Sequence, residues 1–429
     1  MGKEKVAKQE EWYRLDNAAK IYPAVKQLQW SSLFRFSVSL TSRIDPVLLQ
    51  QALDRTIKRF PVFSLRLKRG LFWYYFERNE NRALVGKDVA NPCMPIRPRE
   101  NDGFMFRVRY YENRIALEVF HAITDGTGGL IFLKTLTAEY LKMMGVSDIA
   151  CEHGVFLCDE QPDPEEMEDG FKRYYTGTAV KSRKEARAYQ ISDVQENRFD
   201  IRIVTGLIPL DRMLEEARGY GVSLTEYLVA LEIQALCRIQ ERERRKRKYP
   251  VKISVPINLR QYFPSKTMRN FSSFINVGID PNLGEYDFEE IVRVVHHYMR
   301  YEVTGKQLGA WINKNVKSER NWAIRAVPLF VKNMVLSLIY SLVGETRFSC
   351  VLTNIGSLQI PEGMRPYVVG AEMMLGVAMV NKVSSAMISY GNTLSITFTR
   401  NVRDAKLERE FFRALVQRGI PVEVFGNDD

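Results

Sequence analysis

The spacing of hydrophobic positions changes along the chain, and each change marks an element. Phe34, Phe36, Val38 and Leu40 alternate with Arg35, Ser37 and Ser39, the period of a half-buried strand. Asp45-Pro46 then supplies an N-cap and a first-turn proline. Leu49, Ala52, Leu53, Thr56, Ile57 and Phe60 form the apolar stripe of a helix that Pro61 stops. A strand, a turn near residues 68–70 and an aromatic strand over 71–76 follow. The Phe/Trp/Tyr run there reads as a strand buried on both faces rather than as a contact for a base or a lipid. A hairpin around Glu112-Asn113 ends at His121, and the helical period returns from Thr127 to about Met144.

Residues 159–198 break this order. They open with an acidic, proline-containing stretch and continue polar and basic, so they read as a solvated crossover between two lobes. The expected division is therefore an N-terminal lobe over 1–158, the crossover 159–198 and a C-terminal lobe over 199–429. In the second lobe, strand character occupies 201–208, 251–256, 274–279 and 348–357. Ser223-Leu-Thr-Glu226 is a capping box opening a helix to about Gln240, and Asp287-Phe-Glu-Glu290 opens another. Residues 367–400 predict a three-strand meander with a turn at Gly391-Asn392. A helix over 404–418 and a strand over 422–425 close the chain. The apolar segment 326–343 is interrupted by Pro328, Lys332 and Asn333, too short and polar to span a bilayer. It reads as a helix covering the core or touching a membrane surface. Strands and helices mix without the regular alternation of a doubly wound fold, which predicts an α+β architecture.

Composition adds limits rather than a function. At 429 residues the chain can bury two cores, and 62 Lys and Arg against 51 Asp and Glu give a net charge of +11. That balance suits an anionic partner without choosing one. Arg242–Lys248 holds six cations, yet no recognised nucleic-acid-binding motif accompanies it, and no nucleic-acid partner is expected. Five scattered cysteines and a charged start without an apolar stretch fit a reducing, cytoplasmic setting. His296 and His297 are adjacent on a helix and cannot form a metal pair, so no metal is expected.

The candidate chemistry lies at His121-Ala-Ile-Thr-Asp125-Gly126. His121 continues the row Ile115, Leu117, Val119 at the end of a strand, with Asp125, Gly126, Gly128 and Gly129 behind it. Imidazole is the group best matched to taking and returning a proton near neutral pH. The alternative is a buried structural histidine donating to a carbonyl; the strand end, the aspartate and the glycines favour the base. No GxSxG elbow, P-loop or dinucleotide fingerprint competes with it.

This stretch matches the HxxxDG motif and resembles the chloramphenicol-acetyltransferase-like superfamily, which includes alcohol O-acetyltransferases, polyketide-associated acyltransferases, wax ester synthases and condensation domains. Pro256-Ile-Asn-Leu-Arg260 and Thr353-Asn-Ile-Gly356 are similar to further segments of it, as is Arg59-Phe-Pro61 leading to Ser64-Leu-Arg66. Phe120 stands where condensation domains carry a second histidine, and the DFGWG motif is absent. The chain therefore looks closest to the stand-alone alcohol acetyltransferase-like branch. The resemblance implies two lobes, each a mixed sheet with helices, around a central tunnel. It implies acyl transfer from acyl-CoA, a co-substrate rather than a bound cofactor, to a hydroxyl acceptor with His121 as general base. Asp125 and Gly126 would shape the turn, with Arg260 a partner for Asp125. Asn354 or a neighbouring backbone N–H would be the oxyanion donor, and Asn258, Arg260 and Asn354 could equally be structural. Two alternatives stay open: condensation-type transfer to an amine from an acyl-carrier protein, and a catalytically silent ligand binder. A monomer, in contact at most with a membrane periphery, is expected.

Overall fold

Strand Leu33–Leu40 lies at the middle of the first lobe because its alternating side chains find cover on both faces: six of its first six positions are buried, Arg35 and Ser37 included. It pairs antiparallel with Arg114–Phe120, register Phe34 to Val119, and that strand pairs with Phe106–Tyr111. The structure is a computed structural model. It describes residues 12–25, 31–178, 185–197, 200–243, 247–320, 326–339, 345–376 and 381–427. Residues 244–246 of the basic run and 340–343 of the apolar segment lie outside these.

Three sheets organise the described residues. The five-stranded sheet of the first lobe runs Val368–Leu375, Leu33–Leu40, Arg114–Phe120, Phe106–Tyr111, Val85–Lys87. A seven-stranded mixed sheet forms the second lobe, in the order Ser272–Ile279, Val251–Asn258, Cys350–Ser357, Val383–Tyr390, Thr393–Arg400, Arg202–Pro209, Glu423–Gly426. A small third sheet joins Trp12–Arg14, Tyr74–Arg78 and Leu65–Arg69. Each large sheet is packed by helices around its own apolar core.

Local signals are realised where local hydrogen bonds decide them. Asp45 caps helix Pro46–Arg59, accepting from Val47 N–H at 2.7 Å. Both capping boxes form, at Ser223 and at Asp287. The expected meander does not. Val383–Tyr390 and Thr393–Arg400 make a hairpin, but Val368–Leu375 crosses to the first lobe and pairs with Leu33–Leu40. A strand's own pattern does not record which edge it will satisfy, and here the open edge lay in the other lobe.

Two further expectations are corrected. The aromatic run is not buried on both faces: Leu71 and Trp73 stand exposed at the tip of the hairpin, and the strand begins only at Tyr74. The acidic crossover is not wholly solvated, since Glu166 is buried and takes a two-pronged ion pair from Arg59 at 2.7 and 2.8 Å. Helix Leu329–Ile339, expected to cover the core or touch a membrane surface, turns Phe330, Met334 and Leu338 outward. No helix among the described residues is long and apolar enough to cross a membrane.

Candidate active site

Strand Arg114–Phe120 delivers His121 to the boundary of the lobes, and its backbone N–H bonds the carbonyl of Ser32 at 2.9 Å. The half-buried imidazole is walled by aromatic rings. Tyr22 stacks on it with centroids 4.8 Å apart and planes 17° apart, and Phe34 meets it edge-on at 5.1 Å. This enclosure strips water from the ring, and the desolvation lowers its pKa below the ordinary histidine value. Burial thus favours the neutral ring, the form that can accept a proton.

The ring's hydrogen-bond partner lies 149 positions away: His121 Nδ1 is 2.9 Å from Asn270 Oδ1. The amide of Asn270 is oriented by its other end. Its Nδ2 faces two acceptors, Ala122 O at 3.3 Å and Asp16 Oδ2 at 3.4 Å. Nitrogen at that end requires oxygen at the other, so Nδ1 carries the hydrogen and donates it. The lone pair is left on Nε2. Asp16 is fully buried, and desolvation raises its pKa to about 6 against the opposing charge of Arg269.

Asp125 is spent on structure. It is the N-cap of helix Gly126–Met143, with Oδ1 accepting from Thr127 N–H at 3.1 Å and Gly128 N–H at 3.3 Å. Oδ2 accepts from Arg260 Nη1 at 2.7 Å and from Phe271 N–H at 2.8 Å. Four donors occupy the carboxylate, leaving it no free position to serve as a base. Arg260 spreads its guanidinium over Asp125, Asn258 Oδ1 and the carbonyls of Thr267 and Arg269, fixing the segment that carries Asn270.

The glycines here permit close approach rather than unusual backbone angles. A Cβ on Gly128 would lie 2.1 Å from Thr124 Oγ1 and 2.6 Å from Met268 O, and one on Gly126 2.7 Å from Ile355 Cδ1. The second lobe thus packs directly on the turn after the histidine.

Next to that turn, the lobes enclose a cavity of about 490 Å³, lined by Thr127, Leu130, Ile131, Lys134, Asn258, Asn354 and Ile355 among others. Asn258 Nδ2 bonds Thr127 Oγ1 at 3.2 Å across the lobe boundary. Asn354, expected as an oxyanion donor, gives Nδ2 to Thr225 Oγ1 at 2.9 Å and accepts Gly356 N–H at 2.8 Å. It is a wall of the cavity, and no contact among the described residues joins it to His121. His296 Nδ1 lies 3.2 Å from Glu226 Oε1 in the second lobe. Among the described residues no cluster of His, Cys, Asp and Glu could hold a metal ion.

Sequence reasoning did not find Asn270, Asp16 or Tyr22. None sits in a motif; each reaches His121 only through the fold.

No family model matches the chain, and no curated protein matches it. Solved structures do. A polyketide synthase associated protein from Mycobacterium tuberculosis superposes with a TM-score of 0.61 at 12% identity, covering 94% of this chain and 96% of that one. A trichothecene 15-O-acetyltransferase from Fusarium sporotrichioides gives 0.59 at 9% identity, over 95% and 94%. The starter condensation domain of rhizomide synthetase, solved with C8-CoA and Leu-SNAC, gives 0.57 at 13% identity, over 94% and 93%. The chain thus shares the two-lobed fold of these structures over nearly its whole length.

Proposed function

We propose that the protein is an acyltransferase that moves an acyl group from acyl-CoA to a hydroxyl acceptor, with His121 as general base. His121 Nε2 takes the proton as the acceptor oxygen attacks the thioester carbonyl; the carbon–sulfur bond breaks and the leaving thiolate receives that proton. The observation that carries the reading is the Asn270 contact, which holds the hydrogen on Nδ1 and the lone pair on Nε2 of a neutral, desolvated ring. General-base assistance of this kind contributes ~10²–10⁴-fold. The acyl and thioester chemistry in the names of structures with the same fold supports the choice of reaction class.

The test is to follow free thiol while purified protein is offered a panel of acyl-CoA donors with mixed alcohols. Acceptor-dependent release that His121→Ala abolishes is the expected result. Absence of release with every donor, or full release from the variant, counts against the reading. Activity confined to carrier-bound donors and amines would instead place the protein with condensation-type transfer.

A further inference from the structure

Helix Gly126–Met143 continues from the Asp125 cap along the wall of the cavity, and eight positions past Gly126 it presents Lys134. At about 1.5 Å per residue, that is about 12 Å from the turn that follows His121. Lys134 is only 8% exposed. Its Nζ donates to two backbone carbonyls, those of His153 and Gln359. An ammonium has three N–H donors, so one remains without a protein acceptor among the described residues.

The charge of Lys134 is uncompensated. No described carboxylate pairs with it, and burial alone lowers its pKa to about 8. The described lining of the cavity contains no Asp or Glu and no other lysine or arginine. A buried, unpaired cation is costly, and the cost falls when an anion arrives. The other walls are mixed, with Leu130, Ile131, Ile257, Met299 and Ile355 apolar and Thr127, Ser223, Thr225, Asn258, Gln261 and Asn354 polar but uncharged.

We propose that this cavity recognises a substrate carboxylate: that of a hydroxy acid whose carboxylate takes the spare N–H of Lys134 while its other end lies toward Thr127 and the turn at Asp125. A carboxylate matches the single charge one to one, whereas a phosphate dianion or pyrophosphate would leave excess negative charge in the same walls. The aliphatic side chains of the lining can cover the carbon chain of such an acid. The role as an acceptor site rests on the acyl-transfer reading; the binding of the acid does not.

The experiment is calorimetric titration of the full chain with ω-hydroxy fatty acids of graded length and with their methyl esters, which keep the hydroxyl and remove the charge. A charge-assisted hydrogen bond predicts that the best acid binds about tenfold or more tightly than its ester. Lys134→Met should erase that preference and Lys134→Arg should keep most of it. Equal affinity of acid and ester, no binding of any acid, or a Lys134→Met protein that still prefers the acid overturns the proposal. Should Lys134→Met fail to fold, the acid–ester comparison on the unaltered chain decides. Thiol release with acyl-CoA in parallel samples separates the two readings. Acid binding without turnover removes acyl transfer and leaves the site, whereas turnover of neutral alcohols without acid preference does the reverse.

Discussion

Asp125 holds Asn270 in place without touching it. Its carboxylate receives the N–H of Phe271, one residue after Asn270, at 2.8 Å. Through the 2.7 Å ion pair with Arg260, whose Nη2 donates to the carbonyl of Arg269, it also governs the residue before. The aspartate of the motif therefore positions the partner of the histidine, from the opposite lobe, rather than acting on a proton itself.

Removing that grip should be felt in stability. Asp125→Ala strands a mostly buried guanidinium and two helix N–H groups, and the loss of one partner of a buried ion pair typically costs ~3–5 kcal/mol. Asp125→Asn, which keeps an acceptor for the cap, should lose less. Urea unfolding followed by circular dichroism measures both; equal stability of Asp125→Ala and the unaltered chain would contradict the bracing role.

Asn270 should control the acid limb of the pH–rate profile. With the histidine pKa depressed by desolvation, the base is already unprotonated at neutral pH, so kcat/KM should be level there and fall only on the acid side of the ordinary histidine value. Asn270→Asp puts a carboxylate beside Nδ1, which favours the imidazolium and should move the limb to higher pH. Asn270→Ala should lower the rate about tenfold, by releasing the ring and its tautomer. An unmoved profile in both variants would show that Asn270 only fills space.

Gly128 cannot accept a methyl group without displacing Thr124 or the chain at Met268. Gly128→Ala should destabilise by ~1–3 kcal/mol, the usual cost of overpacking. Paired with Thr124→Ala the cost should fall, though the contact with the Met268 carbonyl at 2.6 Å remains. A thermal melt of the single and double variants reads this directly.

A second titration lies in the core of the second lobe. Glu232 is completely buried in the second lobe, against Ser385 Oγ, and desolvation raises its pKa from 4.5 to about 8. Below the lower value folded and unfolded chains both hold the proton. Between the two the folded chain keeps it and the unfolded chain does not, so stability is lost as pH rises through about 8 and levels off beyond. Glu232→Gln should remove this slope. Urea midpoints measured across the window would refute the assignment if the slope survived the substitution.

Much of the site's frame can be read from residue order. The strand ending in His121, the helix that begins at Gly126 and the cap at Asp125 all follow from local rules: alternation, helical period, and a side-chain oxygen placed before orphan N–H groups. The resemblance carried by the motif also pointed to Arg260 as a partner for Asp125. What failed were the positions whose outcome depended on distant surfaces. Trp73 looked like core and became an exposed hairpin tip, and 368–375 looked like the next strand of a meander and became an edge of the other sheet.

By itself, the sequence determined the strand, cap and helix around the motif and singled out His121 as the candidate base, because these rest on hydrogen bonds and side-chain periods that close within a few residues. Only the tertiary structure decided how that histidine is held. The amide that fixes its hydrogen lies 149 positions away, and its orientation is set by Asp16 and Ala122 at its other end. An asparagine presents a donor and an acceptor of nearly the same shape, so nothing in its local sequence says which will face the ring; the partners brought to it by folding choose.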